Sequence, residues 1–330
     1  SDINEDQLWI NASVCPNDAL IKDILSLEMN EGLFDEQEHI IAFRSGNFKD
    51  SVDCQKSYTD VAFTHVQNLW DIFSKNAIEL EADFELITRG RTSQKANVTN
   101  NILGEENLFI EEGAVLNCAI INASNGPVYI GKDAEVMEGS ILRGPFALCE
   151  ASQTKLGAKI YGPTTVGPYS KVGGELNNVV IFGYSNKGHD GFLGNSVLGE
   201  WCNIGADSNN SNLKNNYAEV RLWNYASGSF AHTGLQFCGL IMADHSKCGI
   251  NTMFNTGTVV GVSANIFGAG FPRNFIPSFS WGGPKGLSTF MIPKAFEVSE
   301  KVMARRNVVF DENDRKILTK VFDLSKDFRR

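Results

Sequence analysis

The chain has no apolar run approaching the ~18 residues needed to cross a bilayer, which excludes a spanning helix and leaves no reason to expect a membrane partner. It has no recognisable signal peptide. Its seven cysteines (Cys15, Cys54, Cys118, Cys149, Cys202, Cys238, Cys248) are an odd, scattered set without a CxxC pair. That excludes a disulfide scaffold or a zinc knuckle and points to free thiols in a reducing, cytoplasmic compartment. Cations are scarce: 29 Lys and Arg against 39 Asp and Glu give a net charge of -10, with no basic cluster. Nucleic acid is therefore not an expected partner, because neutralising phosphates needs a basic face. No Gly-rich phosphate-cradling loop with a following arginine and lysine stands before residue 90. The chain opens at Ser1 with no initiator Met, which leaves room for a longer polypeptide upstream.

What the chain does have is a period of six. Leu198-Gly199 and Ile204-Gly205 are apolar-Gly pairs six apart, and the rhythm recurs at Ile110 and Leu116, at Ile130, Val136 and Leu142, at Ile160, Val166 and Val172, and at Phe254, Val260 and Ile266. A helix repeats every 3.6 residues and a flat strand every two, so a six-residue repeat requires the backbone to turn a corner once per repeat. This is the pattern of a β-helix. Corners favour residues that tolerate positive φ, and the region is rich in Gly and Asn, including Asn203, Asn209, Asn210, Asn212, Asn215 and Asn216.

Three zones follow. Residues 1–90 read as a partial α/β domain, with short strands at Leu8 to Ile10 and His39 to Phe43, a helix through Leu25 capped by Asn17, and an amphipathic stretch from Val61 to Phe73. Residues 91–290 form the β-helix. Residues 291–330 return to helical spacing at Phe296, Val298, Val302 and Met303, then at Ile317, Val321 and Phe322. Helices there are expected to cap the open end of the β-helix, whose last coil otherwise exposes strand edges.

The segment NKGHDGFLGNSVLGEWCNIGAD (Asn186 to Asp207) is similar to the acetyltransferase half of the bifunctional glucosamine-1-phosphate acetyltransferase and N-acetylglucosamine-1-phosphate uridyltransferase, GlmU. Nearly the whole chain resembles the GlmU-like sugar nucleotidyltransferases of Bacteroidetes. The motifs are WDIF (Trp70 to Phe73), DFELITRGRTS (Asp83 to Ser93), RGPFALCE (Arg143 to Glu150) and DHSKCGINTMFNTGTVVG (Asp244 to Gly261). The resemblance implies a mainly β protein built on a left-handed parallel β-helix of hexapeptide repeats, preceded by part of a nucleotidyltransferase-like domain and followed by C-terminal helices. It further implies a homotrimer in which acetyl-CoA and an amino sugar phosphate or nucleotide-activated amino sugar meet between subunits. Mg2+ enters only with an active nucleotidyltransferase half.

Amine attack on a thioester needs a base to take the amine's proton and a donor for the developing oxyanion. His189 suits the base, since imidazole titrates near neutrality and Gly188 and Gly191 keep its surroundings open. A backbone N–H on a neighbouring coil suits the donor. By position in the family, Asn203 belongs to the acceptor site and Asn212, with Gly205 and Ala206, to the acyl-CoA. Phe192 stands where the family has an acceptor-site tyrosine and cannot donate a hydrogen bond. Asn177 replaces a phosphate-binding lysine, and Glu150 stands nearest to a missing arginine. Arg143, Lys155, Lys159, Lys171 and Lys187 are the cations that remain to hold a phosphate.

His245, beside Asp244, is a second candidate base, because a neighbouring carboxylate orients and charges an imidazole. His232 and His245 also raise a zinc enzyme of γ-carbonic anhydrase type, but that family spaces its paired histidines five apart and these are thirteen apart, so no metal ligands are assigned. A non-catalytic trimeric scaffold that binds sugar nucleotides is the remaining alternative.

Overall fold

A computed structural model of the protein describes residues 6–46 and 54–329. The chain divides into two compact units, Ser1–Asp71 and Ile72–Arg330. In the first, strands Leu8–Ile10, Ile40–Arg44, Glu31–Phe34 and Gln55–Tyr58 lie side by side in that order, with two antiparallel contacts and a parallel last one. Helix α1 (Asp18–Ser26) forms where Asn17 caps it, the side-chain oxygen accepting the Leu20 N–H at 3.0 Å. It buries Leu20 and Ile24 against Val14, Leu33, Ile41 and Ala42.

The amphipathic spacing of residues 61–73 does not make one helix. Thr64–His65 instead pairs antiparallel with Val14–Cys15, and Val61 and Phe63 pack against the first unit's core as loop. Only α2 (Asp71–Ser74) is helical there, followed by α3 (Asn76–Thr88), in which Leu80 alone is buried. So thin an apolar face has almost no periodicity to read.

The second unit is the expected mainly β architecture of hexapeptide coils with helices at its C-terminal end. Val128 pairs in parallel with Phe146 and Phe146 with Thr164, while Glu135 pairs with Gln153 and Gln153 with Lys171, each a step of 18 residues. Three hexads therefore make one coil with three faces. The first face stacks Asn101–Leu103, Ile120–Asn122, Ile141–Arg143 and Lys159–Tyr161. The second stacks Leu108–Ile110, Val128–Ile130, Phe146–Leu148 and Thr164–Val166. The third stacks Glu135–Val136, Gln153–Thr154, Lys171–Val172, Asn186–Lys187, Asn203–Ile204, Lys247–Cys248 and Asn265–Ile266. One inward apolar residue per hexad fills the interior: Ile110, Leu116, Ile130, Val136, Leu142, Ile160, Val166 and Val172 are each at most 5% exposed. Between Asn203 and Lys247 the rhythm is interrupted by an excursion carrying the hairpin Arg221–Asn224 and Ser229–His232.

The corner from the second face to the third is not built as Gly and Asn alone would have it. Tyr169, Tyr184, Trp201, His245 and Phe279 hold φ between +56° and +60° there. Left-handed backbone costs a residue with a Cβ about 1–2 kcal/mol. Stacking offsets it: ring centroids are 5.0 Å apart for Tyr169 and Tyr184, 4.2 Å for Tyr184 and Trp201, and 6.3 Å for Trp201 and His245. Beside this ladder runs a buried one of hydroxyls. Ser170 accepts the Ser185 N–H at 3.0 Å and donates to the Phe182 carbonyl at 2.9 Å; Ser185 accepts from Cys202 N–H at 2.8 Å and donates to Gly199 at 2.7 Å.

Helices α4 (Ile292–Ala304) and α5 (Glu312–Leu324) pack on this aromatic ladder. Their Ala295, Met303, Leu318, Phe296 and Phe322 share one cluster with Tyr184, Trp201, Val262 and Phe279. Trp201→Ala is expected to cost about 3–5 kcal/mol in urea unfolding. It should also raise protease sensitivity at α4 and α5 before the coils themselves yield.

Candidate functional site

His189 stands at the corner from the third face to the first, exposed at the tip of the turn Gly188–Gly191. An unusual inward residue holds this turn. Lys187 occupies the position that Val172 and Ile204 take on neighbouring coils, and it is 1% exposed. Its ammonium donates to the carbonyls of Gly173 and Asp190, each at 3.2 Å, and to that of His189. Burial pushes this ammonium down to about 8, against the opposing pull of Asp190. With every proton given to the backbone inside the coil, Lys187 does not face a ligand. Its assignment to substrate binding is corrected to one of fixing the His189 turn.

The same corner is narrow in the next coil. A Cβ at Gly205 would sit 2.4 Å from the Gly249 carbonyl carbon, so only glycine lets these coils approach. Ala206 beside it is small, which leaves space next to the imidazole. The result is a cavity of about 390 Å³ lined by Lys155, Lys171, Asn186, Gly188, His189, Asn203, Gly205, Ala206 and Ile250, among others. Six of the residues expected from sequence, Lys155, Lys171, His189, Asn203, Gly205 and Ala206, therefore meet around one opening. Lys155 is oriented by donation to Gln153 Oε1 at 2.9 Å.

Other candidates lie elsewhere. Arg143 ends a strand of the first face and does not line this cavity. Phe192 lays its ring along its own strand over Gly194, where the Asn212 amide also sits. Asn212 donates to Asn195 Oδ1 at 2.8 Å and its carbonyl accepts from Cys238 N–H at 2.9 Å, so it ties down the start and end of the excursion. His245 belongs to the aromatic ladder on a different corner. Its Nδ1 lies 3.3 Å from Ser299 Oγ, and Asp244 spends Oδ1 on the Glu200 N–H at 2.8 Å instead of orienting the ring. Burial, helped by Lys247, pushes the imidazole down to about 4, leaving it neutral and structural. His232 is on the exposed hairpin, 2.9 Å from Glu219.

Among the described residues, the group of potential metal ligands is Asp35, His39 and His65 of the first unit, with atoms within 4.8 Å of one another. Within it, His39 Nδ1 lies 2.9 Å from Asp35 Oδ2, and His65 Nε2 lies 3.0 Å from Ser13 Oγ. Four further residues went unread in the sequence, namely Asn186, Lys247, Arg305 and Arg306, which line an adjoining cavity with Lys171 and Asn203. Lys247 and Asn186 were legible as outward partners of Asn203 on the third face; the arginines are adjacent in sequence but distant from every motif.

Residues 1–92 match the family model described as sugar nucleotidyl transferase. No curated protein matches the chain. Solved structures similar to it include a UDP-N-acetylglucosamine acyltransferase from Campylobacter jejuni, at 14% identity and TM-score 0.31, over 71% of this chain and 83% of that one. The Arabidopsis UDP-N-acetylglucosamine acyltransferase is 16% identical with TM-score 0.27, over 67% and 80%. A hexapeptide transferase family protein from Anaplasma phagocytophilum is 16% identical with TM-score 0.22, over 68% and 91%. No helix among the described residues is long and apolar enough to cross a membrane.

Two outcomes follow from the buried cations and the neutral ring. Lys187→Met strips three backbone carbonyls of their donor and should cost about 2–4 kcal/mol, with faster amide exchange at residues 188–191. The unfolded chain protonates His245 below its ordinary value of 6.5, the folded chain only near 4. The neutral ring's contribution, at most about 3 kcal/mol, is thus present above pH 6.5 and lost as pH falls towards 4. His245→Phe should flatten that part of the stability profile measured by urea titration.

Proposed function

We propose that the β-helix unit is an acyl-CoA-dependent acyltransferase that acetylates the amino group of a sugar phosphate or of a nucleotide-activated amino sugar, with His189 as general base. One observation carries this reading: a histidine fixed by a buried lysine opens into a cavity that also gathers two lysines, an asparagine and a glycine-alanine corner from successive coils. The match of residues 1–92 to sugar nucleotidyl transferases supports a sugar-nucleotide context. Whether that unit transfers nucleotides, with Mg2+, is a separate activity of the same reading.

Acetyl-CoA supplies an activated acyl group, and the residues of this chain do the rest. Lys187 holds the backbone turn that carries His189, and the imidazole removes the acceptor amine's proton as the amine nitrogen bonds to the acyl carbon. The same proton then returns to the departing thiolate, giving an amide and free CoA. The Gly205 N–H is engaged with the Cys248 carbonyl at 3.1 Å, so the neighbouring Ala206 N–H is the donor assigned to the oxyanion. Asn203 orients the acceptor. Leu156 and Ile250, 69% and 70% exposed near the same corner, give a second subunit apolar surface to bury, in keeping with a homotrimer.

Calorimetric titration with acetyl-CoA, and with desulfo-CoA as the unreactive analogue, should show one micromolar site per chain. His189→Ala should keep that binding and lose about 10²–10⁴-fold in transfer to an amino sugar phosphate. Wild-type turnover in the variant removes His189 as base, and no binding of either titrant removes the acyltransferase. Sedimentation should give three times the 36.2 kDa chain mass.

A further inference from the structure

The cavity beside that of His189 has about 420 Å³ and shares Lys171, Asn186 and Asn203 with it. Its floor is the outward ladder of the third face, where Lys171 pairs with Asn186, Asn186 with Asn203 and Asn203 with Lys247. Parallel strands lie about 4.8 Å apart, so the two lysine backbones are roughly 14 Å apart with two carboxamides between them. Its other wall is the C-terminal end of α4. That helix buries Ala295, Ser299 and Met303, and the docking brings Arg305 and Arg306 over the ladder. Arg306 Nη2 donates to Asn186 Oδ1 at 3.3 Å.

Four cations thus surround one opening, and no carboxylate lines it. Among the described residues none of the four forms an ion pair, although the chain carries ten more acids than cations. Lys171 is held below the usual lysine range by burial and then by repulsion from Arg306 and Lys155, and Lys247 by burial. Gathering like charges in a partly enclosed groove is unfavourable until an anion enters, and guanidinium forks beside ammonium groups and amides are what phosphoryl oxygens require.

We propose that this groove is a phosphoryl-binding site, in which Lys171, Lys247, Arg305 and Arg306 hold a phosphate or diphosphate of a substrate while Asn186 and Asn203 donate to its oxygens. The assignment of that substrate to the His189 reaction rests on the acyltransferase reading; recognition of the phosphoryl group does not. The shared residues Lys171, Asn186 and Asn203 join the two cavities, so one end of a ligand is held by charge while the other reaches the imidazole.

Inorganic pyrophosphate, titrated calorimetrically into the full chain at low salt, should bind at one site per chain, with affinity falling as chloride is raised. Arg306→Ala and Lys171→Met should each weaken it at least tenfold, whereas Lys320→Ala, on the exposed side of α5, should leave it unchanged. His189→Ala should bind pyrophosphate like the wild type. Absence of pyrophosphate binding, or wild-type affinity in both groove variants, overturns the site. Acetyl-CoA supplies the control for the ligand's source: simultaneous binding with pyrophosphate assigns the groove to the acceptor, and mutual displacement assigns it to the phosphates of the acyl donor. Pyrophosphate binding without acetyl-CoA binding leaves the phosphoryl site standing and removes the acyltransferase.

Discussion

Everything in the second unit depends on the corners meeting in register. Each coil can pair its backbone groups only with the coils above and below, so a corner that drifts by one residue would unpair a whole strand and turn its inward residue outward. The ladder of buried serines sets that register on one corner, since each hydroxyl both accepts from and donates to the coil that follows. A serine sees the same partners in every coil. The interior apolar residues supply most of the driving force, but they are interchangeable in a way that the hydroxyl ladder is not.

Against that regular background the His189 corner stands out through one substitution at an inward place. An apolar residue at position 187 would be equivalent to Val172 or Ile204 and would leave the turn after it to its own preferences. Lysine binds the turn from inside instead, through the carbonyls of Gly173, His189 and Asp190. Keeping an ammonium out of water is expensive, and a fold tolerates it only where the donors are fully used. The cost falls on the coil whose corner carries the exposed His189, and this ties an energetic irregularity to the chemistry.

The hexad was legible because it needs only one apolar residue in six, and every position read from it between Ile110 and Ile266 is buried. The opening around His189 was legible in part. Residues near one another on adjacent coils, such as Lys171, His189, Asn203 and Ala206, lie at predictable offsets from the repeat. Lys187 reads in sequence as one more surface cation, yet it is the second residue of its strand, as Val172 and Ile204 are of theirs, and that place turns inward. His245 was misjudged because a carboxylate next in sequence points the other way across a corner. The aromatic ladder was hidden, since tyrosine and tryptophan are poor guesses for positive φ until the neighbouring coils are stacked.

That ladder also decides what the C-terminal helices are for. Docked along Tyr184, Trp201 and Phe279, they cover the rings that make the strained corner affordable, and the same docking sets Arg305 and Arg306 above the lysines of the third face. Stability and recognition are then properties of one interface. Trp201 is buried within that helix cluster and also lines the basic groove, so loosening α4 from the rings withdraws the arginines from Lys171 and Lys247 at the same time. The groove's charge is therefore conditional on packing, which a sequence read one segment at a time does not display.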